Sequence, residues 1–253
     1  MSKKAIIIAA TNKYFALGLR LISHWNYHYK SDSTVDFIFI SDRDPNEYSV
    51  ANNIKHIAVT PSESFMEIAM YRWEVASKLA ESEEYDEIIC IDADTTISSD
   101  FTDENFSSEF TAMKHMYNDN YEHKMNNLIE NNERAASFFK FEDDGDHYHC
   151  GFVVATPEIF KDLGLKMNEW WQTDIANGVE ARWHDESYFN KYLYTVRPVV
   201  KALNTKKLFM SLGDKAGILF FKNSKLRAGA HNFNEGKRLQ GPFQKFMKNL
   251  SRA

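Results

Sequence analysis

The chain has 253 residues, 43% hydrophobic and 14% aromatic, and carries a formal net charge of -6. That length suits one large α/β domain, and the composition allows a substantial core and argues against a disordered chain. The acidic balance and dispersed basic residues exclude general affinity for nucleic acid or an anionic membrane, because phosphate binding needs surplus Lys and Arg.

Lys3 and Lys4 precede the apolar run Ala5-Ile6-Ile7-Ile8-Ala9-Ala10. It is too short for a signal sequence or a membrane span, so the expectation is a cytoplasmic protein; as a run rich in β-branched residues it predicts a buried parallel strand. Phe15, Leu19 and Ile22 then fall on one face of a helix. Residues 36–40 and about 54–59 predict two further strands. Met66, Met70, Trp73, Ala76 and Ala80 mark a second amphipathic helix. Glu87-Ile88-Ile89-Cys90-Ile91 is the next strand, and it runs directly into Asp92-Ala93-Asp94. Beyond it, strands are expected at residues 110–115 and 150–155, with a polar loop or loop and helix over 116–145. A helix should begin with Pro157 in its first turn, where a missing N–H costs nothing. A short helix over 185–194 and a strand over 198–203 complete the pattern. Cys90 and Cys150 sit in apolar runs and are too sparse for a disulfide framework, so reduced, buried thiols are expected.

Strands alternating with helices imply a mostly parallel sheet covered on both faces. Ligands of such sheets bind beyond the carboxyl ends of the strands. Thr11 to Tyr14, Ser41-Asp42 and Asp92-Ala93-Asp94 therefore share one rim. No repeat or Pro/Gly linker interrupts the chain, and a single domain over residues 1–253 is expected.

Two clusters on this chain can carry chemistry. Asp92 and Asp94, one residue apart after a buried strand, can hold a hard divalent cation that also grips phosphate oxygens; a solvated acidic turn is the plainer alternative. Asp92-Ala93-Asp94-Thr95-Thr96 also resembles the motif of haloacid-dehalogenase-like phosphatases, with Asp92 as nucleophile. That family places the motif on its first strand, and Ser211-Leu212-Gly213-Asp214 is a poor candidate for its second acidic pair. Trp183-His184-Asp185-Glu186-Ser187 is the densest group of reactive side chains. A carboxylate in the first turn of a helix stays ionised, and beside an indole wall it suits a sugar site, where it can attack or stabilise an anomeric carbon. An ordinary capped helix start with a surface Trp fits the same residues.

The stretch from Gly178 to Tyr192 resembles the signature of the family 6 glycosyltransferases, the retaining α1,3-galactosyl- and N-acetylgalactosaminyltransferases that include the ABO blood-group enzymes. Ala10-Thr11-Asn12-Lys13-Tyr14, Met70-Tyr71-Arg72-Trp73-Glu74, Asp92-Ala93-Asp94 and Gly145-Asp146-His147-Tyr148-His149-Cys150-Gly151 resemble further segments of that family in the same order. The resemblance implies a GT-A fold, with a nucleotide-binding half over about 1–100 and an acceptor half and tail over about 101–253. It implies Mn²⁺ or another divalent cation on Asp94 and Asp92, with Asp92 also reaching the ribose. Donor contacts would come from Ala10, Thr11, Tyr14, Arg72, Ala93, His149, Gly151 and Asp185, and from Lys237 and Arg238 in the tail. His115, Trp183 and His184 would face the acceptor, and Glu186 would be the nucleophile or the base that stabilises a front-face displacement. The implied partners are UDP-Gal or UDP-GalNAc and an oligosaccharide or glycan acceptor. Gly151 lacks a methyl group, which leaves room for an N-acetyl group and favours GalNAc. A phosphatase, or a protein that binds nucleotide sugars without turning them over, are the competing readings.

Overall fold

The structure is a computed structural model that describes residues 2–29, 31–48, 50–60, 65–82, 84–97, 102–103, 109–115, 124, 128–140, 145–204 and 218–220. The chain divides into two compact units, Met1–Leu219 and Phe220–Ala253, and the architecture below is that of the first. Its strands are β1 (Lys3–Ala9), β2 (Thr34–Ser41), β3 (Ile54–Ala58), β4 (Glu87–Ile91), β5 (Thr95–Ile97), β6 (Phe110–Lys114), β7 (Tyr148–Ala155) and β8 (Lys201–Asn204). The helices of four residues' hydrogen-bond period are α1 (Phe15–His28), α2 (Phe65–Glu81), α3 (Pro157–Ala176) and α4 (Asp185–Val196). The expected elements are present with small shifts at their ends, the largest being the strand expected from Pro198, which starts at Lys201. Much of 116–145 lies outside the described residues.

A seven-stranded sheet has the order β3-β2-β1-β4-β7-β6-β8. β1, β2, β3 and β4 run parallel, as do β6 and β8, while β7 is antiparallel to both β4 and β6. This is the mostly parallel α/β sheet that the sequence predicts, and it is consistent with a GT-A fold. The reversal of β7 has a direct consequence. Its amino end, at Tyr148 and His149, lies beside the carboxyl ends of β4 and β6, so both directions of chain deliver side chains to one rim. The β6–β7 register slips there, with Ala112 opposite Val153 but Met113 opposite His149.

Period-two alternation explains why strands with apolar residues on both faces are buried throughout. Ala5, Ile7, Ile38, Ile40, Ile88, Cys90 and Val153 meet α2, α3 and α4 in one core cluster. Ile6, Ile8, Phe37, Phe39, Ile89 and Ile91 are equally buried, and α1 packs at β2, where Phe15 meets Phe39 edge to face at 5.8 Å. Trp170 and Trp171 pack against the core cluster.

α2 and α3 cross closely because Gly164 carries no side chain: a methyl there would stand 2.7 Å from the Trp73 carbonyl and 2.8 Å from Ser77 Cβ. Trp73 is thereby sandwiched between Phe160, at 6.1 Å, and Phe189, at 5.6 Å. Three helices meet on this indole. Removing a fully buried ring leaves a cavity as well as losing its transfer free energy. Phe160→Ala is therefore expected to lower unfolding free energy by about 3–5 kcal/mol, measured as a drop in the urea midpoint at unchanged slope.

Candidate active site

β4 ends at Ile91, and the Asp92 N–H continues its ladder by donating to the Gly151 carbonyl at 2.9 Å. The Thr95 N–H donates to the Asp92 carbonyl at 3.0 Å, so residues 92–95 turn sharply into β5. That turn lifts both carboxylates onto the rim. The neighbouring rim loop is fixed as well: the Asn12 N–H donates to Asp42 at 3.0 Å, and Arg43 donates to the Asn12 carbonyl at 2.7 Å. Asn12 holds a positive φ of 52° there.

Arg72, from α2, stands behind the turn and is only 5% exposed. Its guanidinium donates to Asp92 and, at 2.6 Å, to Asp185 of α4. It also lies 3.3 Å from both the carbonyl and the sulfur of Cys150. The Trp73 indole donates to the same Asp185 oxygen at 2.9 Å. Burial opposes the charge on Arg72, and the carboxylates of Asp185 and Asp92 more than offset this, raising its pKa well above the ordinary arginine value. Burial pushes the Cys90 thiol up to about 12 and raises that of Cys150 well above the ordinary thiol value. Both cysteines are free and buried, as expected.

α4 begins abruptly. His184 adopts φ 51° and ψ -129°, a conformation disfavoured for a residue with a side chain, and Asp185 and Glu186 form the first turn. The turn is pinned by Ser187, whose hydroxyl accepts the Trp183 N–H at 3.0 Å. Buried Glu130 accepts the Arg182 N–H and lies 3.5 Å from the Ser187 hydroxyl. Asp185, 6% exposed, turns inward to Arg72, and Glu186 faces the cavity.

Three histidines surround Glu186. His147 Nε2 is 3.1 Å from its Oε1, and His149 Nε2 is 3.9 Å from its Oε2. The His115 ring lies 5.9 Å from that of His147 and 6.1 Å from that of His149. Burial resists ionisation of Glu186, but the charges of His149, His147 and His115 and the hydrogen bond from His147 outweigh it and hold the carboxyl down to about 2. Asp94 behaves oppositely. Burial first, and then the charge of Asp92, raise its carboxyl to about 6 against weaker opposition from His149 and Arg20.

Arg72, Asp92, His149, Trp183, Asp185 and Glu186 line one cavity of about 210 Å³, together with His184, Cys150 and three residues of β1 and α2. The expected residues of β4, α2, β7 and α4 are thus brought together. Trp183 is 41% exposed there. Ala10, Thr11 and Tyr14 sit at the end of β1 and in the turn after it, and Ala93 and Asp94 in the turn after β4; none lines this cavity. Lys237 and Arg238 lie outside the described residues, as do Ser211 to Asp214.

Gly151 requires a correction. A methyl there would stand 2.5 Å from Asp92 Oδ2 and 2.7 Å from the His149 ring. The space is filled by these two side chains rather than left open, which removes the reason for expecting GalNAc over Gal. His147, Asn190 and Glu130 are site residues without an assigned role at the level of sequence. His147 lies two positions before His149, so period two was the available signal; Glu130 and Asn190 offered none.

The donor chemistry of Asp92 and Asp94 suits a hard cation: carboxylate oxygens only, with Asp94 half-buried beside a like charge. Among the described residues no group of three or more His, Cys, Asp or Glu side chains could hold a metal. Such an ion would need further oxygens from its ligand. His24 and His28 face each other at 5.6 Å on α1 but are partly buried rather than fully solvated, and burial together with Arg20 lowers His24 to about 4.

The sequence model of glycosyltransferase family 6 matches residues 5–211, and the chain belongs to this family. Histo-blood group ABO system transferases 1 and 2 of Rattus norvegicus are each 29% identical to it over 142 residues. The matched stretch covers 53% of this chain and 39% and 40% of those proteins. It thus spans about two fifths of the length of these relatives. Among the described residues no helix is long and apolar enough to cross a membrane.

Overpacking a close contact costs about 1–3 kcal/mol. Gly151→Ala is expected to destabilise the fold by about that amount. In Asp92→Ala, where the 2.5 Å neighbour is gone, the same change should cost measurably less. A thermodynamic double-mutant cycle checks this, and strict additivity would contradict the packing account.

Proposed function

We propose that the chain is a retaining glycosyltransferase that moves Gal or GalNAc from a UDP-sugar to a hydroxyl of an oligosaccharide or glycan acceptor, forming an α1,3 linkage. The observation that carries this reading is an ionised, nearly enclosed Glu186 and a half-exposed Trp183 on the wall of the cavity whose other wall holds Asp92. Family 6 membership and the transferase names of the rat relatives support the same reading. Residues 1–253 act as one catalytic domain, donor on the β1–β4 side and acceptor beyond it, and two free, buried cysteines suit a cytoplasmic setting.

Each residue then has a task. Trp183 offers an indole face to an apolar sugar face, and His115 and His184 contribute polar contacts to the acceptor. Tyr14 and Thr11 meet the nucleotide. Arg72 holds Asp92 and Asp185 in place from behind while its position at the cavity lets it meet the donor. Glu186 stays ionised at neutral pH, so a carboxylate faces the positive charge that develops at the anomeric carbon. Mn²⁺ or a similar ion, held by Asp94 and Asp92, supplies charge neutralisation for the departing diphosphate when bound.

The decisive experiment is UDP release from UDP-Gal and UDP-GalNAc with a glycan acceptor mixture, with and without Mn²⁺, on wild type and Glu186→Gln. Metal-dependent release that falls by two or more orders of magnitude in the variant supports transfer. UDP binding without release would mean a silent binding protein, and phosphate-ester hydrolysis indifferent to Glu186 would mean a phosphatase.

Asp94 adds a pH prediction. A carboxyl raised in the folded state favours folding at low pH, and that contribution is lost as pH rises through about 6. Above that pH the ionised Asp92–Asp94 pair is what a cation can stabilise, whereas below it protons compete. Mn²⁺ is expected to raise Tm clearly at pH 7.5, little at pH 5, and not at all in Asp94→Asn.

A further inference from the structure

We infer that His147 is a positioning residue for the transfer reaction: its imidazole donates a hydrogen bond to Oε1 of Glu186, fixing the carboxylate so that Oε2 is the oxygen presented to the sugar. This rests on the transferase reading and deepens it.

His147 is 2% exposed and does not line the cavity, whereas Glu186 does. It stands behind the carboxylate and cannot itself meet a ligand in this cavity. Its Nε2 is 3.1 Å from Oε1, within hydrogen-bond reach, while Oε2 is 3.9 Å from His149 Nε2, beyond that reach. Among the described residues one oxygen is tied by a histidine and the other stands beyond hydrogen-bond reach of His149.

The direction of the bond follows from Asn190, one turn along α4. Its amide nitrogen donates to the Tyr148 carbonyl at 2.8 Å and to the Glu186 carbonyl at 2.9 Å. Those two acceptors use both amide hydrogens, although His147 Nε2 lies 3.3 Å away. Nε2 is therefore not needed as an acceptor, and the network assigns it the proton that points at Oε1.

His147 is also well anchored. Its carbonyl accepts the His115 N–H at 2.9 Å at the end of β6, and the next residue is clamped because Asn190 Oδ1 accepts the Tyr148 N–H at 2.8 Å. The donor thus belongs to the sheet, and the carboxylate to the helix. A hydrogen bond between them registers the Glu186 carboxylate against the strand that also carries His149 and Gly151. Displacement of a reacting group by about 1 Å can cost about 100-fold in rate, so a rotamer set by a rigid neighbour acts on kcat.

The test compares His147→Leu, His147→Asn and His147→Gln with wild type and Glu186→Gln. Steady-state kcat and donor KM are measured for UDP-Gal and UDP-GalNAc, with UDP affinity determined separately by calorimetry. Gln extends an N–H close to the position of Nε2, whereas Asn is polar but too short and Leu has no donor. Leu and Asn are expected to lower kcat about 10- to 100-fold with donor KM and UDP affinity within about twofold, and Gln to restore most of the loss. Should Leu fail to fold, the Asn–Gln pair carries the same comparison. The inference is overturned if Leu or Asn turns over like wild type, if Gln is no better than Asn, or if the loss is in UDP affinity. If wild type itself releases no UDP from either donor, the transferase reading fails and this inference with it; an active wild type silenced by Glu186→Gln but indifferent to His147 sinks the inference alone.

Discussion

A buried guanidinium shared by two carboxylates from different elements holds the site together. Arg72 of α2 reaches Asp92 at the end of β4 and Asp185 at the start of α4, and touches Cys150 of β7. Charges this deep are expensive to desolvate and are tolerated only when fully paired; removing one partner strands the others, at about 3–5 kcal/mol. Such an arrangement adds little net stability over a well-packed apolar core. What it contributes is geometry, because the Asp92 carboxylate and the helix carrying Glu186 cannot move independently of one another.

That geometry depends on the one strand that runs against the others. In a wholly parallel sheet the amino ends of strands point away from the ligand rim. Because β7 is reversed between β4 and β6, Tyr148, His149 and Gly151 open onto the rim from the same side as Asp92 and His115. The missing side chain of Gly151 is then a packing requirement of the rim itself, since Asp92 and His149 both fill the place of its methyl.

The two sides of the site carry carboxyls driven in opposite directions. Burial and a like charge raise Asp94, whereas three histidines overcome burial at Glu186 and lower it. One carboxyl is held toward its neutral form and the other is held ionised. Separated environments of this kind let two carboxyl groups near one rim differ in their readiness to ionise.

The sequence by itself was enough for the parallel β/α core, because apolar runs of five or six residues and helices with a three-to-four residue period are local patterns set by the burial of each element. It also indicated the rim, since Asp92-Ala93-Asp94 follows the strand at 87–91 directly, and the family, since the stretch around Trp183 to Tyr192 is specific. What it could not supply was any relation between segments far apart in the chain. Asp185, expected as a donor contact, is also an inward partner of Arg72, 113 positions away; the place of a Gly151 methyl looked open and is filled by Asp92 and His149. Nothing local shows what His147, Asn190 and Glu130 bond, because a side chain's hydrogen-bond partner is decided by where the strands and helices come to rest. Periodicity records which face of an element is buried; only tertiary packing decides what that face meets.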